Sequence, residues 1–173
     1  DKDQIINTVF GGYATKLYTN FSPVMGVYYN EELEGSYDTD LEKAKELLKE
    51  AGYENGFDFT ITVPANYQAH IDTAQIISQQ LQQIGITANI ETIEWATWLE
   101  DVYTNAQYET TIVGLTGKLD PDAVLGRFKT DYPKNFFKFS DAEYDELITS
   151  ALTEQDEQVR VDDYKRCQEI LTE

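Results

Sequence analysis

Cysteine is all but missing from this chain. The single thiol, Cys167, allows no internal disulfide and no paired-cysteine metal site. Histidine is just as scarce, His70 being the only one. One imidazole and one thiol cannot supply the three protein ligands of a zinc site. Basic residues are few: 13 Lys and Arg stand against 32 Asp and Glu, a net charge of −19. A field of that sign repels nucleic acid and anionic lipid, which removes both as partners. It serves solubility first, and attraction of cationic ligands second. No apolar run approaches the ~20 residues of a membrane-spanning helix. Asp1-Lys2-Asp3 opens into polar sequence and shows no secretory leader. No GxxxxGK or GxGxxG phosphate cradle follows a strand, and no GxSxG elbow accompanies His70. Asp38-Thr39-Asp40 and Asp120-Pro121-Asp122 begin like calcium loops but do not continue as D-x-D-x-D-G, so they read as caps and turns. The expectation is therefore no catalytic residue, no metal and no cofactor.

What is present centres on Phe57 to Leu115. In Phe57-Asp58-Phe59-Thr60-Ile61-Thr62-Val63 apolar residues occupy every second position, the period of a strand. Pro64-Ala65-Asn66 stops it. From Ala69 the period changes: Ile71, Ala74, Ile77, Leu81 and Ile84 share one helical face, with Gly85 as left-handed cap. Ile86 to Ile93 is β-branched and predicts a second strand. Trp95 to Val102 predicts a short helix, and Tyr108 to Leu115 a third strand. Strands alternating with helices predict an α/β fold: a mostly parallel central sheet flanked by helices. In such sheets ligands gather beyond the carboxyl ends of the strands. That directs attention to Asn66 and Tyr67 after the first strand, to Glu94-Trp95, and to Gly114 to Asp122. Two glycines, Thr116 and Pro121 make the last a shaped loop whose backbone a ligand can approach.

The flanks are helical. Asp3 to Phe10 predicts a helix ended by Gly11-Gly12. Tyr13 to Tyr37 has no period and is rich in rings, which are expected to cover the sheet or a further domain. Thr39-Asp40-Leu41-Glu42 has capping-box spacing with Thr39 as cap, and the helix runs to about Ala51, burying Leu41, Ala44, Leu47 or Leu48, and Ala51. Pro121 to Phe128 predicts a helical turn, Asp131-Tyr132-Pro133 a break, and Asn135 to Phe139 an apolar segment. Ser140-Asp141-Ala142-Glu143 is a second capping box, starting a helix with Tyr144, Leu147, Ile148 and Ala151 inward. Val159 to Leu171 predicts a final helix with Cys167 as buried filler beside Val161 and Tyr164. Neither a repeat nor a linker interrupts the chain, so residues 1–173 read as one domain.

Several runs, in order, resemble one family. Tyr37-Asp38-Thr39-Asp40-Leu41-Glu42-Lys43-Ala44-Lys45-Glu46-Leu47-Leu48, then Ala51-Gly52-Tyr53 and Gly56-Phe57, resemble the "YDPEKAKKLLAEAGYPDGF" stretch of the family 5 extracellular solute-binding proteins of bacterial ABC importers. Ile76 to Ile86 resembles "IAxxIQxxLxxIGI", Glu94-Trp95 to Leu99 "EWxxYL", Gly114 to Pro121 "GWxxDYxDP", and Tyr144 to Leu147 "YDxLL". The opening Asp3-Gln4-Ile5-Ile6 with Gly11-Gly12 resembles "DRxxIxxxxxxGxG". The resemblance implies a type II periplasmic-binding-protein-like lobe, the second of two, without enzymatic activity. It implies an extracytoplasmic place, as a cell-surface lipoprotein or in the periplasm. Its partners would be an oligopeptide or other small solute, the permease subunits, and a first lobe outside this segment; the receptor would be a monomer. It also assigns a cleft-lining role to Trp95 and ligand contacts to Leu115, Thr116, Gly117 and Lys118. The chain departs from the pattern in that loop. Leu115 stands where the family has tryptophan, and Lys118 stands where an aspartate holds a peptide's amino terminus. Lys118 suits a carboxylate instead. Two rivals are a hydrolase using His70 and a free-standing interaction domain using the Tyr-rich segment.

Overall fold

The alternating run becomes the central strand. In the computed structural model, which describes residues 1–173, β1 is Asp58–Pro64 and β2 is Thr87–Ile93. They pair in parallel from Asp58↔Thr87 through Pro64↔Ile93. The short β3, Thr110–Thr111, pairs in parallel on the other side of β1, so the order is β2-β1-β3. The third strand expected over Tyr108 to Leu115 is thus cut to two residues. The Glu109 carboxylate accepts the Thr60 amide at 2.6 Å, where a backbone carbonyl would otherwise continue the ladder. Beyond Thr111 the chain leaves the ladder, and Ile112 packs into the core.

The chain divides into two compact units: Asp1–Lys16 with Tyr37–Gly114, and Leu17–Ser36 with Leu115–Glu173. The first holds the sheet. Ile61, Val63, Ala74 and Ala88 form its buried centre, with Ile71, Ile77 and Leu81 of helix α3 (Gln68–Gln82) packed against it. These are the residues whose spacing switched from two to three-or-four. Burying each large aliphatic side chain contributes about 1.5–3 kcal/mol. After α3, Gly85 adopts φ +83, and the turn entering β1 places Gly56 (φ +74) directly against it. A Cβ on Gly56 would lie 1.8 Å from the Gly85 carbonyl oxygen. Helix α1, Lys2–Val9, is tied to α3 through Gln80, whose Nε2 donates to Gln4 Oε1 at 2.7 Å. Helix α2, Leu41–Glu50, half-buries Leu41, Ala44 and Leu48 but leaves Leu47 and Ala51 exposed.

Both capping boxes start one residue later than the spacing suggests. Asp40 caps α2 by accepting from the Lys43 amide at 2.9 Å, and Asp141 caps α6 (Ala142–Thr153) from the Tyr144 amide at 2.7 Å. Where a hydroxyl and a carboxylate compete, the carboxylate makes the charge-assisted bond and meets the positive end of the helix dipole.

The second unit is helical. It joins α5 (Pro121–Leu125), α6 and α7 (Glu157–Thr172) to short 3-10 turns at Pro23–Tyr28 and Glu31–Leu33. Its core contains Phe21, Met25, Tyr29, Leu125, Tyr144, Ile148, Tyr164 and Cys167. The rings of the aperiodic segment therefore belong to this helical core, whereas sequence reading assigned them to the sheet or a further domain. Only long-range packing distinguishes these options, and Tyr13 and Tyr37 remain exposed. Gln168 is fully buried. Its Oε1 accepts from the Asn30 amide at 3.1 Å, and its Nε2 donates to the Tyr28 carbonyl at 2.7 Å and the Tyr164 carbonyl at 3.0 Å. Burial pushes the Cys167 thiol up to about 12, consistent with an inert filler.

Candidate functional site

The carboxyl ends of β1 and β2 lie side by side, clamped where the Ala65 amide donates to the Ile93 carbonyl at 2.8 Å. The chain leaves β1 through Asn66 and Tyr67 into α3. It leaves β2 through Glu94 into α4 (Trp95–Thr97), which continues as a π-helical segment, Trp98–Thr104. Its wider turn is seen where the Asn105 amide donates to the Glu100 carbonyl, five residues back. Helices α1, α2, α5, α6 and α7 all begin with an aspartate side chain accepting a first-turn amide. Helices α3 and α4, which begin at the strand ends, have no such side-chain cap.

Aromatic rings fill that end of the sheet. Tyr67 and Trp95 meet edge to face, with centroids 5.4 Å apart. Trp95 stacks flat on Trp98 at 5.2 Å with planes 4° apart, and Trp98 meets Tyr103 at 6.1 Å. Trp98 is buried, and its Nε1 donates to Thr111 Oγ1, which donates on to the Thr62 carbonyl. That chain fixes the indole to β3 and β1, so Trp95 stands on a rigid support while it and Tyr67 stay partly exposed. Asn66, exposed in the same turn, completes the patch.

His70 also stacks on Tyr67, with centroids 5.0 Å apart. Its Nδ1 is buried without a partner, and its Nε2 lies 3.5 Å from where a Cβ on Gly114 would sit. Burial holds its pKa below the ordinary value. The side chain therefore backs a ring, and it is not engaged with a serine, cysteine or carboxylate as a hydrolytic base would be. Trp98 did not figure among the sequence candidates as a site residue, and His70 figured only as the base of the rival hydrolase reading. Each lies three residues after a ligand-binding candidate, Trp95 and Tyr67, a spacing that places both members on one helical face.

The remaining candidates belong to the helical unit. Leu115, Thr116 and Gly117 line a recess of about 140 Å³. Its other walls are Asn20, Val124, Arg127 and Phe128, of which Val124 and Phe128 pack on the core. Lys118 is exposed on the same loop. Asp120 caps α5 through the amides of Asp122 and Ala123, as its turn-like sequence suggests. Asn20 and Arg127 were missed: nothing near either one in the chain points to the loop.

The parallel sheet of order β2-β1-β3 flanked by helices matches solved structures of type II periplasmic binding proteins. One is the ABC transporter-associated periplasmic binding protein DppA from Helicobacter pylori in complex with the peptide STSA, with a TM-score of 0.88 and 30% identity over 99% of this chain and 34% of that one. Residues 1–136 match the bacterial extracellular solute-binding proteins, family 5 Middle, and the chain belongs to that family. Di/tripeptide-binding protein 1 of Pseudomonas aeruginosa is 32% identical over 100% of this chain and 33% of its own length. Heme-binding protein A of Haemophilus influenzae is 32% identical over 99% of this chain and 32% of its own. The chain thus spans about a third of the length of these relatives.

Proposed function

We propose that this chain is the second lobe of an ABC-importer substrate-binding protein. It captures a peptide or other small solute and closes on it together with a first lobe carried by a longer parent chain. It acts outside the cytoplasm, as a surface lipoprotein or in the periplasm, as a monomer, and hands its solute to permease subunits without chemistry of its own. The observation that carries this reading is the half-exposed Tyr67–Trp95 pair, seated on buried Trp98 at the carboxyl ends of β1 and β2. Rigid rings beside uncapped helix starts give an apolar wall with polar anchors, the common form of a small-molecule site. The loop at Leu115, Thr116, Gly117 and Lys118 supplies the second set of contacts, and Asn66 flanks the first. Relatives named for dipeptides and for heme share these proportions of identity, so the family leaves the solute open.

The test is calorimetry with di- and tripeptides on the parent receptor and on this chain. The parent is expected to bind and this chain to bind weakly or not at all. Trp95→Ala in the parent is expected to weaken binding about tenfold or more, from the loss of one aromatic contact surface. Tight, saturable binding by the 173-residue chain alone would contradict the two-lobe reading.

A further inference from the structure

The recess beside the Leu115–Gly117 loop is small and basic in a chain that is otherwise acidic. Its about 140 Å³ is well under the ~300–1,000 Å³ that holds a whole ligand. At roughly 30 Å³ per water it has space for four or five waters, or for one end of a molecule. Its floor is apolar, from Val124 and Phe128. Its rim carries donors. The Asn20 side chain accepts from Thr19 through Oδ1, which leaves its amide N–H groups available. Arg127 makes a single hydrogen bond, from Nη2 to the Ala123 carbonyl at 3.0 Å, and no ion pair. Thr116 adds a hydroxyl. Arg127 has no carboxylate partner although acids outnumber bases 32 to 13. The nearest acids in sequence are engaged elsewhere: Asp131 pairs with Lys129 at 3.4 Å, Asp122 packs beneath Gly126, where a Cβ would lie 2.8 Å from its Oδ1, and Asp120 caps α5. None of the three lines the recess.

We propose that this recess is an anion subsite in which Arg127, Asn20 and Thr116 hold a carboxylate while Val124 and Phe128 cover its first carbons. It deepens the solute-receptor reading and rests on it for biological meaning: the captured solute carries a carboxylate on a short apolar stem, placed at the loop where Lys118 adds a second positive charge. A guanidinium fork matches a carboxylate in two parallel bonds, which a lysine alone cannot do.

The test is an amide NMR titration of the ¹⁵N-labelled 173-residue chain with propionate and its neutral isostere propionamide, with sulfate as a third arm. Expected are saturable, millimolar-range shifts at Asn20, Thr116, Gly117 and the Arg127 Nε–H with propionate only. Arg127→Gln should weaken that response about tenfold. Arg127→Lys should recover part of it, and Lys165→Gln, the same charge change on α7 outside the lining of the recess, should leave it unchanged. Equal shifts with propionamide, a match by sulfate, or no change in Arg127→Gln would each overturn the subsite. The two readings fail separately. A parent receptor that binds peptides through Trp95 but shows no propionate response sinks only the subsite. A propionate response without any peptide binding sinks only the peptide reading.

Discussion

The sheet unit and the helical unit use their largest residues in opposite ways. In the helical unit Phe21, Tyr144 and Tyr164 are fully inside, and the Tyr144 hydroxyl donates to the buried Leu125 carbonyl. In the sheet unit only Trp98 is inside, while Trp95 and Tyr67 stay partly in water on top of it. Rings in the first set hold helices together. Rings in the second set are supported from below and left uncovered where the strands end. A side chain kept rigid but wet is a binding surface, and that difference separates the candidate site from the cores. Polar burial follows the same division. The helical unit encloses Gln168 and Asn30, each satisfied by several bonds, whereas Thr62 is the buried polar side chain of the sheet.

The largest effect that would break this comparison lies in the sheet unit, at the contact of Gly56 with Gly85. Gly56→Ala would drive a Cβ to 1.8 Å from a backbone oxygen that cannot rotate away, at φ +74. The expected loss exceeds about 4 kcal/mol, enough to unfold the sheet. Gly35→Ala, in the helical unit at φ +84 with open space around it, should cost about 1 kcal/mol from backbone strain alone. Urea titrations of the two variants, followed by far-UV circular dichroism, measure the difference. Equal costs would mean that the two glycines do not meet.

The next effect concerns the helical unit. Gln168→Leu keeps the volume but strands the Asn30 amide and the Tyr28 carbonyl inside the core. Leaving those groups unpaired should cost about 2–3 kcal/mol, read as a fall in the urea midpoint at constant slope. A neutral outcome would show that water reaches them, and the contrast in polar burial between the units would disappear.

How much of this was legible depended on the distance over which each feature is decided. Phe57 to Val63 announced β1 because burial of alternate residues is a local pattern, and Ile71 to Leu81 announced α3 for the same reason. Gly85 showed its conformation in advance, but its contact with Gly56 did not show, because nothing in either neighbourhood names the other. Thr110 and Thr111 carry the β-branched signal of a longer strand, but pairing with β1 stops at Thr111, beyond which Ile112 packs against the core. At the site, Tyr67 and Trp95 followed from the rule about strand ends together with the family resemblance. Trp98 and His70 were readable in principle from their spacing of three. Asn20 was not, since its place beside the Leu115 loop is a product of tertiary packing.

The smallest effect tests whether the wet rings are held as firmly as described, and it depends on His70. The imidazole stacks on Tyr67, with Nε2 3.5 Å from where a Cβ on Gly114 would sit and Nδ1 buried and unpaired, and its pKa is lowered by burial alone. A base whose folded pKa is depressed destabilises the folded state once protons compete. Above the ordinary value of 6.5 both states are neutral and stability is full. As pH falls below that value the unfolded chain binds the proton first, and stability is lost until the folded pKa is passed. His70→Gln removes that proton uptake. Urea midpoints at about pH 7.5 and about pH 5.5 should therefore fall further for the native chain than for the variant. Because carboxylates titrate mostly lower and are common to both proteins, they cancel in the difference. The effect is modest because the ring is only partly buried, but its sign is fixed. An identical fall in both proteins would mean that the imidazole moves out to water, leaving Tyr67 without its backing.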